Sequence, residues 1–539
     1  MGFHLAERSF PFHSQSADHA LDAALRHWAA RTPDAPFIVE ADIGAVMTYA
    51  AIASAVRRWR QALGAAPLVI ALALPGGAPA AIAWLAALTG GHRLVLCSPE
   101  ATADERRHLS ETQRPDVVVV ARRTDTFGRP DARVFTAADL ATLMSPGAPE
   151  AVSAAMAAMA ATLAPRVGMA RLTTSGTTGE PKGVWLTERQ IAWAAEQVRR
   201  SHRLTSADRG LCVLPFFHIN APVVSLCATL LAGATVVIAP RFSVHHFWEW
   251  VAREDITWAS LVPTIIAMLL STEKPAFLPG ALRFVRTASA PLPIARQLAF
   301  ERQFGVAVVE TYGLSEAASQ VAANPVPPGR RKVGSVGRPT GVELVIAAPA
   351  SEGADGMAGD AGDADDGGYA PQPLAQGVEG EICVRGPGVI SGYEGDVDAT
   401  SFAGGWFRTG DLGYLDADGY LFITGRLRDT INRGGEKVAP REIEEVLLAH
   451  PAIRDAAVLG APDPLYGQRV VAFVVPADPW NARTEAALRA YCAARLSAYK
   501  TPETFYVATA LPRNANGKLS RRALQGSRAL EPAAGGATA

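Results

Sequence analysis

The sequence predicts an α/β protein with a large N-terminal domain of layered sheets and helices and a small, mobile α+β C-terminal domain. The chain has 539 residues, 49% of them hydrophobic, which is enough for more than one buried core. Short apolar runs alternate with helical patterns as far as about residue 400, and the pattern changes after about residue 425. We therefore predict domains at residues 1–425 and 426–539.

Buried strands and an apolar helix alternate near the start of the large domain. The runs LVIALAL (68–74), RLVLCS (93–98) and DVVVVA (116–121) predict buried strands, and APAAIAWLAALTGG (78–91) predicts a helix ended by glycines. This strand–helix–strand order is typical of a largely parallel sheet with helices on its faces.

An uncharged segment, residues 221–240, is long enough to span a bilayer. Gly233 interrupts it, and β-branched residues gather mainly after that point. This pattern favours a buried helix, a turn and a buried strand, with a membrane span as the alternative.

The small domain is predicted from three segments. PREIEEVLLAHP (440–451) begins with a proline suited to the first helical turn and places apolar residues on one stripe. RVVAFVVP (469–476) predicts a strand, and TEAALRAYCAARL (484–496) predicts a second amphipathic helix. Residues 348–377, rich in Gly, Ala and Asp, predict a mobile loop without function. The alternative is an Asp-rich metal-binding loop, although its spacing does not match an EF-hand.

Composition excludes several classes of protein. Lys plus Arg total 51 against 52 for Asp plus Glu, so no global charge attracts nucleic acid or an anionic membrane. The five cysteines are odd in number and lack metal-ligand spacing, which argues against a disulfide framework. The N-terminus has no apolar core of a secretory signal, so we predict a cytoplasmic protein.

The stretch LTTSGTTGEPKGVWLT (172–187) combines hydroxyl side chains, glycines and one lysine. Glycines let successive backbone N–H groups face an anion, hydroxyls add donors, and Lys182 adds a positive charge. This chemistry suits a polyphosphate, although the spacing is not that of a Walker A loop. The alternative is an ordinary polar surface loop.

Three further motifs follow in order: ETYGLSEAAS (310–319), GWFRTGDLGYLDADGYLFITGRLRDTINRGGEKVAPREIE (405–444) and LPRNANGKLSRR (511–522). With these four motifs the chain resembles the adenylate-forming superfamily of acyl-CoA synthetases, carrier-loading adenylation domains and luciferases. The resemblance spans about residues 21–522. Several stretches, such as LRFVRTASAPLP (282–293), are most similar to oxalate-CoA ligases and short-chain acyl-CoA synthetases.

The resemblance implies an ATP site in the large domain. Tyr312 would lie against the adenine, Gly313 would make room for it, and Asp411 would accept hydrogen bonds from the ribose hydroxyls. Glu316 and Thr174 would bind Mg²⁺, a hard ion suited to oxygen ligands. Tyr312 as a core aromatic, Glu316 as a helix-start carboxylate and Asp411 as a turn residue remain the structural alternatives. The implied ATP-binding residues are Thr174, Ser175, Gly176, Thr177, Thr178, Gly179, Lys182, Thr311, Tyr312, Gly313, Asp411 and Arg426.

The resemblance also implies a catalytic lysine and a hinge. Lys518 would contact the substrate carboxylate and the α-phosphate, where an ammonium stabilises the charge of the transition state. Asp429 matches the hinge about which the small domain rotates between two half-reactions. After rotation, Gly434 and Gly435 would let a pantetheine arm pass close to the backbone.

The acid pocket is the least specified part of the implied site. His218, which is either catalytic or a core histidine, would lie at its mouth, and Ser289, Ala290 and Pro291 would line it. Oxalate ligases tend to carry His-x-His where this chain has His218-Ile219-Asn220, which disfavours oxalate. The pocket residues are small and mostly neutral, so we expect a neutral aliphatic or small acyl acid. Arg286 is the candidate partner for any second carboxylate.

The predicted activity is an ATP-dependent, AMP-forming acyl-CoA ligase that uses ATP, Mg²⁺ and CoA with a small-molecule carboxylic acid. One alternative enzyme loads the acyl group onto the phosphopantetheine of an acyl or peptidyl carrier protein. A nucleotide-binding protein without activity is a third hypothesis, and luciferase-like oxygenation is a remote fourth. No nucleic-acid partner and no membrane span are predicted.

Overall fold

The computed structural model describes residues 12, 18–144, 166–175, 181–275, 280–349, 371–396, 401–513 and 518–526. Within these ranges the strands form four sheets, of which the first three belong to the large domain and the fourth to the small domain. This architecture confirms the predicted α/β class with a large and a small domain.

The first sheet has nine strands and is parallel except at its edges. Its parallel strands are short and buried because helices cover them, as expected for strand–helix–strand units. In spatial order the strands are Arg338–Pro339, Ser319–Ala323, Ala307–Leu314, Phe284–Thr287, Trp258–Leu261, Arg209–Cys212, Thr235–Ile238, Pro36–Glu40 and Ala45–Thr48.

The second sheet has six strands and ends in an antiparallel hairpin at one edge. Its members include all three strands predicted from apolar runs, each a little shorter than the run. In spatial order they are Arg133–Thr136, Val117–Val120, Val69–Ala73, Arg93–Leu96, Met169–Ser175 and Pro181–Thr187.

The third sheet is antiparallel and links the large domain to the small one. Four strands run in the order Glu343–Ala347, Gly380–Arg385, Trp406–Leu415 and Phe402–Ala403, and Leu421–Arg426 pairs with Trp406–Leu415. The next strand of the chain, Ile431–Arg433, already belongs to the fourth sheet.

The fourth sheet forms the small domain together with the two predicted helices, Pro440–Leu448 and Ala482–Ala493, and a short helix, Arg521–Gly526. Its strands run in the order Glu436–Val438, Ile431–Arg433, Gly467–Pro476 and Ile453–Asp463, and Thr504–Val507 pairs with Gly467–Pro476. The helix Pro440–Leu448 begins with Pro440 and buries Ile443 and Leu447, which confirms the predicted stripe in part, since Val446 is only partly buried.

Helices cover both large sheets. The apolar helix Ala78–Thr89 is almost entirely buried, which explains why its sequence lacks a polar face. The described α-helices are Ala20–Arg31, Tyr49–Leu63, Ala78–Thr89, Ala103–Gln113, Ala137–Met144, Glu188–Ser201, Ala228–Ala232, Phe247–Arg253, Pro263–Leu270, Ile294–Phe304, Pro440–Leu448, Ala482–Ala493 and Arg521–Gly526.

The uncharged segment 221–240 is buried in the large domain. A π-helical stretch, Asn220–Cys227, continues into the helix Ala228–Ala232, and the chain turns at Gly233 (φ 70°) into the strand Thr235–Ile238. The predicted helix, turn and strand are confirmed. Among the described residues, no helix has the length and apolar character required to cross a bilayer.

Most of the predicted mobile loop, residues 350–370, lies outside the described residues. Its base is closed by a bridge between Ala347 and Pro373. The absence of a function for this loop stays a prediction.

Candidate active site

A cavity of about 1130 Å³ lies between the two domains. Its large-domain wall is built where parallel strands of the first sheet end, the place where open α/β sheets bind ligands. Ser289, Ala290 and Pro291 follow the strand Phe284–Thr287, and Thr311 to Leu314 end the neighbouring strand. The small domain contributes Lys518 and Arg521.

Asp411 is the centre of a hydrogen-bonded group at one end of this cavity. The Tyr312 hydroxyl donates to Asp411 Oδ2 at 2.6 Å, and Arg426 Nε lies 2.8 Å from Asp411 Oδ1. Asp411 and Arg426 face each other on paired strands, so the sheet register itself creates the ion pair. Burial and the Asp411 charge raise the pKa of Tyr312 well above its usual value, so its hydroxyl stays a donor.

Gly313 is required by the sheet beside Tyr312. A Cβ at this position would come within 1.6 Å of the Ser319 carbonyl oxygen on the adjacent strand. The strand pairing shifts between Tyr312 and Gly313, which accounts for this close approach. The close approach of the strands is therefore enough to explain Gly313. That Gly313 also makes room for adenine stays a prediction.

Lys518 reaches the same end of the cavity from the small domain. Burial, followed by the charges of Arg426 and Arg428, lowers the pKa of Lys518 to about 8, while Asp411 and Asp429 act in the opposite direction. An ammonium held among these groups is poised to bind an anion, because two neighbouring arginines leave the region with excess positive charge.

The predicted phosphate loop joins the two strands of an antiparallel hairpin, Met169–Ser175 and Pro181–Thr187. Gly176, Thr177, Thr178 and Gly179 lie outside the described residues, and so do the side chains of Thr174 and Ser175. The hairpin ends at Thr187, which forms a capping box with Gln190 at the start of the helix Glu188–Ser201. This cap fixes the residue at which the second strand of the hairpin ends and the helix begins.

Lys182 and Glu316 are brought together by a residue that the sequence motifs did not indicate. The Lys182 ammonium lies 4.7 Å from the centre of the Tyr393 ring, and the Tyr393 hydroxyl donates to Glu316 Oε1 at 2.8 Å. Lys182 is buried, with 6% of its surface exposed. This residue, Tyr393, lies in the stretch VISGYEGD (389–396), between two strands of the third sheet.

Glu316 fits a cation that is completed by the ligand. Among the described residues, no group of three or more His, Cys, Asp or Glu side chains is arranged to hold a metal. The Glu316 carboxylate accepts a hydrogen bond from Tyr393 at Oε1. Such a site suits Mg²⁺ carried by phosphate oxygens, since Mg²⁺ is usually bound through one or two carboxylates and the phosphates of a substrate.

His218 is a neutral imidazole. Burial lowers its pKa to about 4, its ring lies 4.1 Å from that of Phe217, and its Nε2 is buried without a hydrogen-bond partner in the described structure. A base this weak is poorly matched to removing a proton at pH 7. His218 is also not among the residues that line the cavity.

Arg286 is fully buried in the strand Phe284–Thr287, which leads to Ser289, Ala290 and Pro291 of the cavity wall, and it is not itself among the residues that line the cavity. Its Nη1 donates to Asn220 Oδ1 at 3.2 Å and to Ser260 Oγ at 3.3 Å, while Ser260 Oγ donates to Asn220 Oδ1 at 3.0 Å. Among the described residues, no carboxylate lies within ion-pair distance of Arg286, and its Nε has no partner. Burial lowers the pKa of Arg286 to about 9, so the guanidinium remains charged at pH 7.

The hinge candidate and the glycine pair occupy different environments. Asp429 ends a short 3₁₀ turn, Leu427–Asp429, and its carboxylate lies 3.7 Å from Arg521 Nη1. Gly434 and Gly435 form the exposed turn between the strands Ile431–Arg433 and Glu436–Val438 and do not line the cavity. This arrangement of the domains therefore unites Lys518 with Tyr312, Asp411 and Arg426, which are predicted to bind ATP, and leaves the glycine pair outside the cavity.

Comparison with known proteins agrees with this geometry. The family model described as AMP-binding enzyme matches residues 25–394, and the model of its C-terminal domain matches residues 442–518. The chain is 38% identical over 523 residues to sulfoacetate–CoA ligase of Cupriavidus necator, covering 92% of this chain and 95% of that protein. It is 37% identical over 370 residues to oxalate–CoA ligase of Arabidopsis thaliana, covering 66% of this chain and 67% of that protein.

A solved structure of o-succinylbenzoate coenzyme A synthetase from Bacillus subtilis, in complex with ATP and magnesium ion, has the same fold. Its TM-score is 0.76 at 29% identity, with 93% of this chain and 99% of that chain covered. The match extends over both domains. The chain thus belongs to the AMP-binding enzymes of the adenylate-forming superfamily, and it is an acid–thiol ligase.

Proposed function

We propose that this protein joins a carboxylic acid to CoA at the expense of ATP, through an acyl-adenylate. The observation that supports this most strongly is the position of Lys518. An ammonium from the small domain enters the cavity beside Asp411 and Arg426, two residues that the resemblance assigns to ATP. Lys182 and Glu316 supply the positive charge and the carboxylate expected around a polyphosphate and its cation.

In the first half-reaction, a carboxylate oxygen of the acid attacks the α-phosphorus of ATP, and the bond to pyrophosphate breaks. Lys518 stabilises the negative charge that gathers between the carboxylate and the α-phosphate. Asp411 binds the ribose hydroxyls once Tyr312 turns its hydroxyl away or shares the carboxylate. Lys182 binds the departing pyrophosphate, and Mg²⁺ held by Glu316 would supply further positive charge there.

In the second half-reaction, the CoA sulfur attacks the acyl carbonyl and AMP leaves with the electron pair of the broken C–O bond. The thiol proton must go to solvent or to AMP, since His218 with a pKa of about 4 is too weak a base. The position of His218 at the mouth between the acid and the thiol, which the resemblance implies, stays a prediction. Free CoA is the proposed acceptor, and the cytoplasm remains the predicted location.

We propose further that the acid carries a second anionic group, in place of the neutral acid expected from the sequence. Arg286 is a buried cation whose described partners, Asn220 and Ser260, are both neutral. A buried charge without a counter-ion is costly, and an anionic substrate group would offset that cost. Sulfoacetate, oxalate and o-succinylbenzoate, named for the three similar proteins, all carry a second acidic group.

Pyrophosphate exchange with a panel of acids tests this function. The panel sets sulfoacetate, oxalate, malonate and succinate against acetate, propionate, butyrate and benzoate, with CoA added to each acid that supports exchange. We expect exchange with a dianionic acid and conversion to its CoA thioester. Exchange without thioester formation would point to a carrier protein as acceptor. No exchange with any acid would contradict the proposal.

The role of Arg286 is tested separately by Arg286→Gln. We expect kcat/KM for the preferred dianionic acid to fall by about tenfold or more, the value of a charged hydrogen bond, relative to a monoanionic acid of similar size. Arg283→Gln is the matched control. Arg283 directly precedes the strand Phe284–Thr287, which contains Arg286, and it forms an ion pair with Asp208. Equal losses for both acids in Arg286→Gln would contradict a role in acid selection.

A further inference from the structure

The residue pair Tyr393 and Glu394 lies between Glu316 and the antiparallel hairpin formed by Met169–Ser175 and Pro181–Thr187, which we call the phosphate hairpin. It follows the third-sheet strand Gly380–Arg385, and Glu394 begins a short 3₁₀ turn, Glu394–Asp396. The pair belongs to none of the four motifs that carry the family resemblance. Its two side chains contact different parts of the predicted ATP site.

Glu394 ties the two strands of the phosphate hairpin together. Its Oε2 accepts a hydrogen bond from Arg171 Nε at 2.8 Å, and its Oε1 accepts one from Trp185 Nε1 at 3.0 Å. Arg171 and Trp185 are register partners on opposite strands of the hairpin. One carboxylate therefore holds both strands of the hairpin together at this pair of residues.

Gly183 makes this contact possible. A Cβ at Gly183, the residue after Lys182, would come within 2.3 Å of Glu394 Oε2. Any larger residue at this position would push the carboxylate away from the hairpin. The glycine of the motif EPKG thus has a structural reason, which is access for Glu394 to the strand that carries Lys182.

Tyr393 makes the second connection. Its hydroxyl donates to Glu316 Oε1 at 2.8 Å, and its ring lies 4.7 Å from the Lys182 ammonium. The ring is held by Phe402 and Phe407, at centroid distances of 5.4 and 6.5 Å. The Ile390 N–H also donates to the Glu316 carbonyl oxygen at 2.8 Å, so this segment fixes both the backbone and the side chain of Glu316.

We propose that Tyr393 and Glu394 are positioning residues that hold Lys182 and Glu316 at the spacing required by the triphosphate of ATP and its cation. The inference rests on the proposed function, because it assigns these residues to the same ATP site. A site that is fixed before its ligand arrives loses less conformational entropy when the ligand binds. Anchoring the hairpin strands and the opposing carboxylate before ATP arrives therefore favours binding.

Equilibrium binding of ATP to Tyr393→Phe and Glu394→Gln, measured by calorimetry with and without Mg²⁺, tests the proposal. Tyr393→Phe removes one hydrogen bond to a carboxylate, so we expect the Kd for Mg·ATP to rise by about tenfold. Without Mg²⁺, where Glu316 has no cation to hold, the same variant should bind ATP nearly as the wild type does. Glu394→Gln should weaken ATP binding under both conditions, because it loosens the hairpin itself.

Two controls separate positioning from general damage. Tyr420→Phe removes a tyrosine hydroxyl that donates to the Arg330 carbonyl oxygen, and Glu343→Gln weakens an ion pair with Arg385. Both lie away from the ATP site, and both variants should bind Mg·ATP as the wild type does. Thioester formation from supplied acyl-adenylate should also stay near the wild-type rate in Tyr393→Phe and Glu394→Gln, since that step involves no triphosphate.

Three results would overturn the inference. Wild-type Mg·ATP affinity in both variants would show that the pair does not position the site. Equal losses of ATP binding and of thioester formation would show a purely structural role. A wild-type protein that neither binds ATP nor supports pyrophosphate exchange would refute the proposed function together with this inference. If the wild-type protein binds ATP and supports exchange, and both variants bind ATP equally well, the inference alone is refuted.

Discussion

Two edges of the small domain differ in what surrounds them. The Lys518 edge is turned into the cavity, where burial and two arginines lower the pKa of Lys518 to about 8. The Gly434–Gly435 turn is exposed to solvent on the same domain. It is nevertheless well fixed, since Gly434 N–H donates to the Tyr466 carbonyl oxygen at 2.8 Å and Gly435 N–H to Asn432 Oδ1 at 3.1 Å.

This difference indicates how one chain could carry out the two proposed half-reactions. A single cavity cannot hold the Lys518 edge and the glycine turn at once, because they lie at different edges of one folded domain. We infer that the described arrangement is the one for adenylation and that rotation about Asp429 brings in the glycine turn for thioester formation. The predictions that follow separate the two edges, beginning with the largest expected effect.

Lys518→Ala should abolish most adenylation while sparing the second half-reaction. Loss of one group that stabilises transition-state charge typically costs about 10²–10³-fold in rate. Pyrophosphate exchange measures the first step, and thioester formation from supplied acyl-adenylate measures the second. Lys500→Ala is the control, since Lys500 is a small-domain lysine paired with Glu442 away from the cavity. Equal losses in both steps would contradict the separation of the two edges.

Gly435→Leu should produce the opposite pattern. A side chain on the turn would obstruct a pantetheine arm, and misplacing a reacting group by about 1 Å can cost about 10²-fold. Gly435 has φ 94°, so any other residue also strains the turn. Gly419→Leu is the matched control, because Gly419 (φ 74°) likewise has open space around its Cβ position but lies in a large-domain turn. Thioester formation that falls equally in both variants would indicate strain alone.

The pH dependence of adenylation should report the Lys518 ammonium. Because its pKa is lowered to about 8, the charged form predominates below pH 8 and is lost as pH rises through that value. We expect kcat/KM for pyrophosphate exchange to decline above about pH 8, since this parameter reports groups of the free enzyme. Lys518→Arg, which stays charged, should lose that decline even if its activity is lower. The same decline in Lys518→Arg would assign it to another group.

Sequence motifs located the residues of the cavity but not the contacts between them. Lys518, Asp411 and Arg426 could be assigned because each stands in a short motif of fixed composition. Tyr393 was missed because its partner Glu316 lies 77 positions away and the link is a hydrogen bond, which leaves no local pattern. The direction of the Arg286 side chain could not be predicted either. A strand pattern does not show which segment packs on each face of the sheet, and the partner Asn220 lies 66 positions away in the sequence.

The fold was predictable for similar reasons. The apolar runs and the glycine-ended helix are local signals, and the structure confirms them with shifts of one or two residues at their ends. The order of strands within each sheet is not local, and neither is the placement of the small domain over the cavity.

Fluorescence energy transfer between the two domains tests the rotation most directly. Dyes on Lys437→Cys, beside the glycine turn, and on Leu298→Cys, on the helix Ile294–Phe304, would report the distance. Both positions are exposed, and all five native cysteines are buried. We predict one transfer efficiency with ATP alone and a different one with a non-hydrolysable acyl-adenylate analogue plus CoA. The same efficiency in both complexes, in a labelled enzyme that still forms thioester, would contradict the alternation of the two edges.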